Sequence, residues 1–318
     1  MPYPIDEKLV VAIASSALFD LAASHAVYQE GDIERYREYQ REQEHVPLDP
    51  GPAFGFIKGL LSLNRHLPGD PVEVILLSRN DADSGFRVMN SIEHHSLKIT
   101  RAAFLSGDDP WRYIDAFAAC LFLSGNSEDV HLALENGKPA GHIHGAMIER
   151  GTMKEELVVA FDFDGVLADD EAERVNQSEG LDIFMQHEAE RAAVPLNPGP
   201  LKEFLDRLSK LHQIEIEKKR AEPDYEPRIK TALVTARSAP AHKRAINTLR
   251  SWGVEIDRAF FLGGIEKARV LAELQPDIFF DDQTVHVEGA AGVVPAVHIP
   301  FGELNQRLSE VEGEAAAQ

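Results

Sequence analysis

Leu157-Val158-Val159-Ala160-Phe161-Asp162-Phe163-Asp164-Gly165-Val166-Leu167 is the stretch that decides the fold. Its five leading apolar residues describe a strand buried on both faces, as strands of a parallel sheet are. Two aspartates follow, one residue apart, where that strand runs out. In an open α/β sheet, ligands bind at that carboxyl end. Taken alone, Asp162 and Asp164 serve equally as a turn former and a surface residue, because Asp and Gly are ordinary loop residues. The rest of the chain decides between the two.

Working outward, the same pattern occurs twice. Leu9-Val10-Val11-Ala12 precedes Leu157-Val158-Val159-Ala160 by 148 residues (157 minus 9). Val46-Pro47-Leu48-Asp49-Pro50-Gly51-Pro52 precedes Val194-Pro195-Leu196-Asn197-Pro198-Gly199-Pro200 by the same interval. The interval is 157 for Arg101-Ala102-Ala103-Phe104-Leu105 against Arg258-Ala259-Phe260-Phe261-Leu262, and 155 for Val130-His131 against Val285-His286. Matched blocks in one order predict an internal duplication. Residues 1–150 and 151–318 would be two tandem Rossmann-like α/β units, meeting near Ala146–Glu156, with a frayed tail over Gly313–Gln318. Each copy reads strand, helical insert, helix, strand, helix, strand, helix, strand, which predicts mostly parallel sheets with helices on both faces. Phe204, Leu205, Leu208 and Leu211, like Phe56, Ile57, Leu60 and Leu63, mark an amphipathic helix after each Pro-Gly-Pro turn. About nine extra residues in the second copy fall in His212–Ile229, expected as an extended loop because of Glu222-Pro223 and Glu226-Pro227. The charged run from Glu215 to Arg220 reads as a solvated loop or helix end.

Composition narrows the function. Fifty-three acidic residues against 32 basic ones give a net charge of −21, which argues against nucleic acid as a partner. A small phosphorylated ligand stays open, since surface charge is screened beyond roughly 8 Å at physiological salt. The 44% hydrophobic content fits a globular chain, and no apolar run is long enough for a membrane span. The acidic pair near the N-terminus argues against a secretory signal. The lone Cys120 excludes an internal disulfide, so a cytoplasmic location is expected, with Cys120 a buried structural thiol.

Aligning the copies shows where they differ. Asp162 and Asp164 stand opposite Ala14 and Ser16; Thr235 opposite Ser78; Lys267 opposite Pro110; Asp281 and Asp282 opposite Ser124 and Gly125. Only the second copy carries two carboxylate pairs, a hydroxyl and a lysine at successive strand ends.

That order resembles the haloacid dehalogenase superfamily of phosphotransferases. Gly180-Leu181-Asp182 with His187-Glu188, Gly199-Pro200-Leu201-Lys202, Leu233-Val234-Thr235-Ala236-Arg237-Ser238, Leu249-Arg250-Ser251-Trp252-Gly253 and Ile278-Phe279-Phe280-Asp281-Asp282-Gln283 narrow the match. With Ser15-Ser16-Ala17-Leu18-Phe19 and Pro50-Gly51-Pro52-Ala53-Phe54, the chain looks like the cytosolic 5′-nucleotidase I family over nearly its full length. The resemblance implies hydrolysis of nucleoside 5′-monophosphates. Asp162 would be the nucleophile, forming an aspartyl-phosphate, and Asp164 the general acid and base, with its pKa held well above about 3.9. Converging carboxylates repel by on the order of 4 kcal/mol at about 4 Å and a dielectric of roughly 20. A hard cation removes that cost, and Mg2+ suits carboxylate and phosphate oxygens. Its expected ligands are Asp162, the main-chain carbonyl of Asp164 and Asp281, with Asp282 acting directly or through water. Thr235, Ala236 and Arg237, with the helix expected from Ala239, would bind phosphate, and Lys267 would neutralise it.

Alternatives remain at this point. Thr235 also reads as a helix cap, and Lys230 and Lys243 are rivals to Lys267. His142 and His144 read as structural, because Gly141-His142-Ile143 is matched by Val297-His298-Ile299 at a strand end of the other copy, and His94-His95 and the His131/His286 pair are read the same way. The insert over residues 169–194 is expected to cap the site, with Phe184 and His187 as contacts to the base, Phe184 alternatively as core. A phosphatase for another small ester, or a silent nucleotide-binding regulator, are the rival functions. The first copy is expected to be non-catalytic, either packing support or a site for a nucleotide effector, and a homo-oligomer is left open.

Overall fold

The structure is a computed structural model that describes residues 3–29, 31, 33–145, 155–303 and 305. The chain divides into two compact units, Met1–Thr152 and Met153–Gln318. Residues 146–154 of the expected boundary and the expected tail, Gly313–Gln318, lie outside the described residues.

The first unit runs β1 (Leu9–Ile13), α1 (Ser15–Leu18), α2 (Ala22–Gln29), α3 (Ile33–Glu42), α4 (Phe54–Ser62), β2 (Val72–Ser78), α5 (Ala82–His94), β3 (Arg101–Phe104), β4 (Leu121–Ser124), α6 (Ser127–Glu135) and β5 (Ala140–His144). The second runs β6 (Leu157–Phe161), α7 (Glu171–Glu179), α8 (Leu181–Glu190), α9 (Lys202–Ala221), β7 (Ile229–Thr235), α10 (His242–Ser251), β8 (Arg258–Phe261), α11 (Lys267–Leu274), β9 (Ile278–Asp281), α12 (Thr284–Ala291) and β10 (Ala296–His298). Both sheets are parallel, ordered β3-β2-β1-β4-β5 and β8-β7-β6-β9-β10. The registers correspond: Val11 lies between Val74 and Leu121, and Val159 between Thr231 and Ile278. Each unit has one helix–strand step more than expected from sequence, ending in β5 and β10.

All five residues of β1 and of β6 are buried, as a central strand covered on both faces requires. One face of β6 packs Val158 and Ala160 with Val234, Leu271, Phe279 and Val287. On the other, Phe161, Phe204 and Phe280 meet at centroid distances of 5.4–6.1 Å. Burying each such side chain contributes roughly 1.5–3 kcal/mol. Cys120 is a fully buried thiol that donates to the Val10 carbonyl, 3.3 Å away. Among the described residues no helix is long and apolar enough to cross a membrane.

Four expectations are corrected. His212–Ala221 is helix, not extended loop: α9 continues to Ala221, because Glu, Lys and Arg are good helix formers and the Glu-Pro pairs act only beyond it. Within the charged run, Glu215 is fully buried and accepts hydrogen bonds from Tyr225 Oη (2.6 Å), Arg228 N (3.0 Å) and Ile229 N (2.9 Å), which ties the helix end to the start of β7. The helix expected from Ala239 starts at His242, after Pro240. Where α11 leads into β9, the first unit has only short 3-10 turns, Pro110–Tyr113 and Asp115–Phe117, before β4.

The Pro-Gly-Pro turns hold the helix pairs α2–α3 and α7–α8 to their sheets. Pro198 bridges Ala168, as Pro50 bridges Phe19. A Cβ on Gly199 would lie 2.3 Å from the Ala168 carbonyl oxygen, so only glycine fits there.

Candidate active site

In the second unit the strand order reverses between β6 and β9, the place where a doubly wound sheet opens a crevice at its carboxyl ends. Asp162 is the first residue past β6, its amide donating to the Phe280 carbonyl (2.8 Å), and Asp281 is the last residue of β9. Lys267, the first residue of α11, places its Nζ 2.8 Å from Asp162 Oδ2 and 2.7 Å from Asp281 Oδ2. Two carboxylates far apart in sequence thus already share one cation. Lys243 is exposed, and Lys230 lies at the opposite end of β7, so Lys267 alone of the three reaches the acids.

Asp281 Oδ1 accepts from Gln283 N (3.0 Å) and His286 Nδ1 (3.1 Å). By contrast, Asp162 Oδ1 and Asp282 Oδ1 are buried with no partner among the described residues. Gly165, at φ +68°, lets the loop after β6 pass so near Asp282 that a Cβ would lie 2.5 Å from its Oδ2. Burial, reinforced by the neighbouring acids and only partly offset by Lys267, pushes Asp162 up to about 6. Burial, with Asp281 and Asp162 beside it, raises Asp282 well above the ordinary aspartate value. Burial also acts on Asp281, but Lys267 and His286 outweigh it and hold that group low. Lys267 stays protonated, its burial outweighed by Asp162 and Asp281.

Thr235, the last residue of β7, is buried and accepts from Arg237 N at 3.2 Å, a local turn that aims the hydroxyl at the strand end. Ala236 is exposed just beyond it. Arg237 was expected to bind substrate, but its guanidinium is engaged inside the protein. Nε and Nη2 each lie 2.7 Å from a different oxygen of Asp164, a bidentate pair, while Nη1 reaches Glu188 of α8 and the Ala241 carbonyl (3.2 Å). Glu188 is fully buried and also accepts from Arg244 (2.7 Å), which in turn reaches Glu171 of α7 (3.2 Å). Phe184 is buried with Ala172 and Ala241, its ring facing Arg237, so it is core and not a base contact. His187 is half-buried, with Nδ1 3.2 Å from Glu188 and Nε2 3.8 Å from Glu171. The insert is therefore joined to Asp164 through a buried ionic chain.

The sequence matches a family model described as 5′-nucleotidase over residues 1–306. It is 38% identical over 298 residues to human "Cytosolic 5′-nucleotidase 1B", which covers 91% of this chain and 48% of that protein. The chain belongs to the 5′-nucleotidase family. It spans about half the length of that human relative. Among solved structures, two of the HAD domain of effector protein Lem4 from Legionella pneumophila, one an inactive mutant, align at a TM-score of 0.27 with 14% and 13% identity. They cover 49% of this chain and 93% and 92% of theirs.

In this 5′-nucleotidase-family chain the donor set fits a divalent cation. Asp162, Asp281 and His286 bring ligand atoms within 4.8 Å of one another, and the unpartnered buried oxygens of Asp162 and Asp282 are the kind a hard cation satisfies. His286, expected as structural, touches Asp281; its signal in sequence is a histidine in the first turn of the helix that follows the Asp-Asp pair. Of the other histidines, His95 Nε2 meets the Leu48 carbonyl (2.8 Å), His131 Nδ1 the Ser127 carbonyl (2.9 Å), and His142 Nε2 the Gly125 carbonyl (3.2 Å), while His94 is exposed. The side chain of His144 lies outside the described residues.

Proposed function

We propose that the chain hydrolyses nucleoside 5′-monophosphates to nucleoside and phosphate, with Mg2+ as cofactor, in the cytoplasm. The second unit carries the reaction and the first, a duplicated copy of the same fold, does not. The observation that carries this is the convergence of Asp162, Lys267, Asp281 and Asp282 at one switch point with two carboxylate oxygens buried and unpartnered. Asp162, Asp281, Asp282 and the Asp164 carbonyl would hold the ion, which when bound supplies neutralisation of the transferring phosphoryl charge.

Asp162 attacks phosphorus, forming the aspartyl-phosphate as the bond to the 5′-oxygen breaks, and Asp164 gives that oxygen a proton. Asp164 then takes a proton from the water that cleaves the acyl-phosphate, and Asp162 is restored. Thr235 donates its hydroxyl to a phosphate oxygen, and Lys267 keeps a fixed positive charge beside the nucleophile. Both Asp164 oxygens are held by Arg237, so proton transfer requires that pair to loosen, and Arg237 acts by positioning Asp164. The insert covers the site, with His187 rather than Phe184 on its more open side.

Phosphate release from a panel of nucleoside 5′-monophosphates and sugar phosphates, with Mg2+ and with EDTA, tests the proposal. Mg2+-dependent release that prefers nucleotides is expected. Preference for other esters, or unchanged release by Asp162→Asn, would overturn it.

A further inference from the structure

The first unit holds a cleft of about 1000 Å3 at the carboxyl ends of its strands, at the place where the second unit puts its acids. That volume is within the usual range of small-molecule sites. We propose that this cleft binds an uncharged, hydroxyl-bearing ligand with a flat ring, the nucleoside class, without a metal ion and without chemistry.

The polar lining is built from hydroxyls. Ser15 and Ser78 lie Oγ to Oγ at 3.0 Å, Ser78 Oγ accepts from Asn80 N (3.2 Å), and Ser16 Oγ accepts from Gly125 N (3.2 Å). Ser16 and Ser78 accept from backbone amides, and one hydroxyl of the Ser15–Ser78 pair donates to the other, which leaves the O–H of Ser16 and one O–H of that pair available to the cleft. Ser24 is 3% exposed, lines the cleft, and has no partner for its hydroxyl among the described residues. A buried hydroxyl left unmatched is destabilising, and a bound polar group recovers that loss.

Charge separates a nucleoside from a nucleotide. The lining arginines are both spent: Arg79 on Asp129 (2.5 Å), Asp109 (3.0 Å) and the Gly107 carbonyl (3.1 Å), Arg37 on Glu34 (3.0 Å) and Asp81 (3.4 Å). Two arginines face four carboxylates, so among the described residues the lining arginines offer a phosphate dianion no surplus positive charge, in a chain of net charge −21. Ala14 stands where Asp162 does, and no carboxylate takes the places of Asp281 and Asp282, so the cleft offers neither nucleophile nor cation ligands there.

Aromatic side chains line the same cleft. Tyr28, 57% exposed, stacks on His25 (6.4 Å, 21°) and takes the edge of Tyr36 (5.4 Å, 79°). Tyrosine faces at the mouth of a hydroxyl-lined cleft suit a flat base above a sugar.

The test is a calorimetric titration of the full chain with adenosine, AMP and inorganic phosphate, with amide hydrogen exchange to locate each. It needs no turnover, so its failure is separate from failure of the proposed hydrolysis. Adenosine should protect residues 14–16, 78–81 and 124–127, and Tyr28→Ala should weaken it by about tenfold while leaving phosphate release unchanged. Absence of heat, protection confined to residues 162–165 and 235–237, or unchanged affinity in Tyr28→Ala would overturn the proposal. Tighter binding of AMP or phosphate than of adenosine in the first unit would overturn it too, and return the cleft to a nucleotide effector.

Discussion

Where β6 runs out the chain sets Asp162, and where β1 runs out it sets Ala14. The two strands are equally buried and lie in sheets of the same strand order. The first unit finishes its strand ends with hydroxyls that satisfy nearby amides, at little electrostatic cost. The second buries three carboxylates and must bury a lysine with them, because a buried charge is tolerated only with a partner. Pro110 opens a 3-10 turn where Lys267 opens a helix, so the scaffold differs where the counter-charge is needed. A fold position, then, is indifferent to chemistry until a charge is placed on it; after that, its neighbours are constrained.

The largest effect expected from breaking this contrast is on activity: Asp162→Asn should lower phosphate release at least about 10³-fold in a steady-state assay, with the fold retained by circular dichroism. Next, Lys267→Met leaves Asp162 and Asp281 without their shared cation. It should destabilise the metal-free chain by about 3–5 kcal/mol in urea unfolding, a loss that Mg2+ partly restores. Ala14→Asp sharpens the contrast from the other side. It creates no phosphatase activity and destabilises the chain by about 3 kcal/mol, because no lysine meets the new carboxylate. Gly165→Ala should cost about 1–3 kcal/mol, since φ +68° and the contact with Asp282 both resist a Cβ.

The smallest effect is a pH dependence. In the folded, metal-free chain Asp162 takes up its proton at about 6, and in the unfolded chain at about 3.9. Its contribution to stability is therefore full below about pH 4 and lost as pH rises through 6, and the raised Asp282 acts in the same direction. Asp281, held low, contributes a constant amount above about pH 4. In EDTA, Tm should be a few degrees higher at pH 5.5 than at pH 7.5, and Mg2+ should raise Tm more at pH 7.5. Differential scanning calorimetry would reveal either slope.

Much of the site was legible because each acid follows an apolar strand, a local pattern that needs no knowledge of contacts. Lys267 was legible only through the order of motifs that carries the family resemblance, with Lys230 and Lys243 as rivals. The buried chain of Asp164, Arg237, Glu188 and Arg244 was not, because it joins residues 49 to 73 positions apart with no periodicity to announce them. Phe184 was ambiguous for a related reason: a phenylalanine on a short helix carries no mark of which side will be covered. The helix through His212–Ala221 was missed because prolines beyond it outweighed the helix-forming residues within it, and the buried role of Glu215 looks in sequence like any solvated glutamate.

The insert is not an interchangeable part. Two of its glutamates, Glu171 and Glu188, are matched to Arg237 and Arg244, which the core supplies from the segment after β7. A chimera that takes residues 169–194 from a relative must carry both arginines along. Otherwise it strands like charges in the interior and releases Asp164, the proposed proton donor, from its tether, so specificity and catalysis in this half of the chain would be inherited as one block.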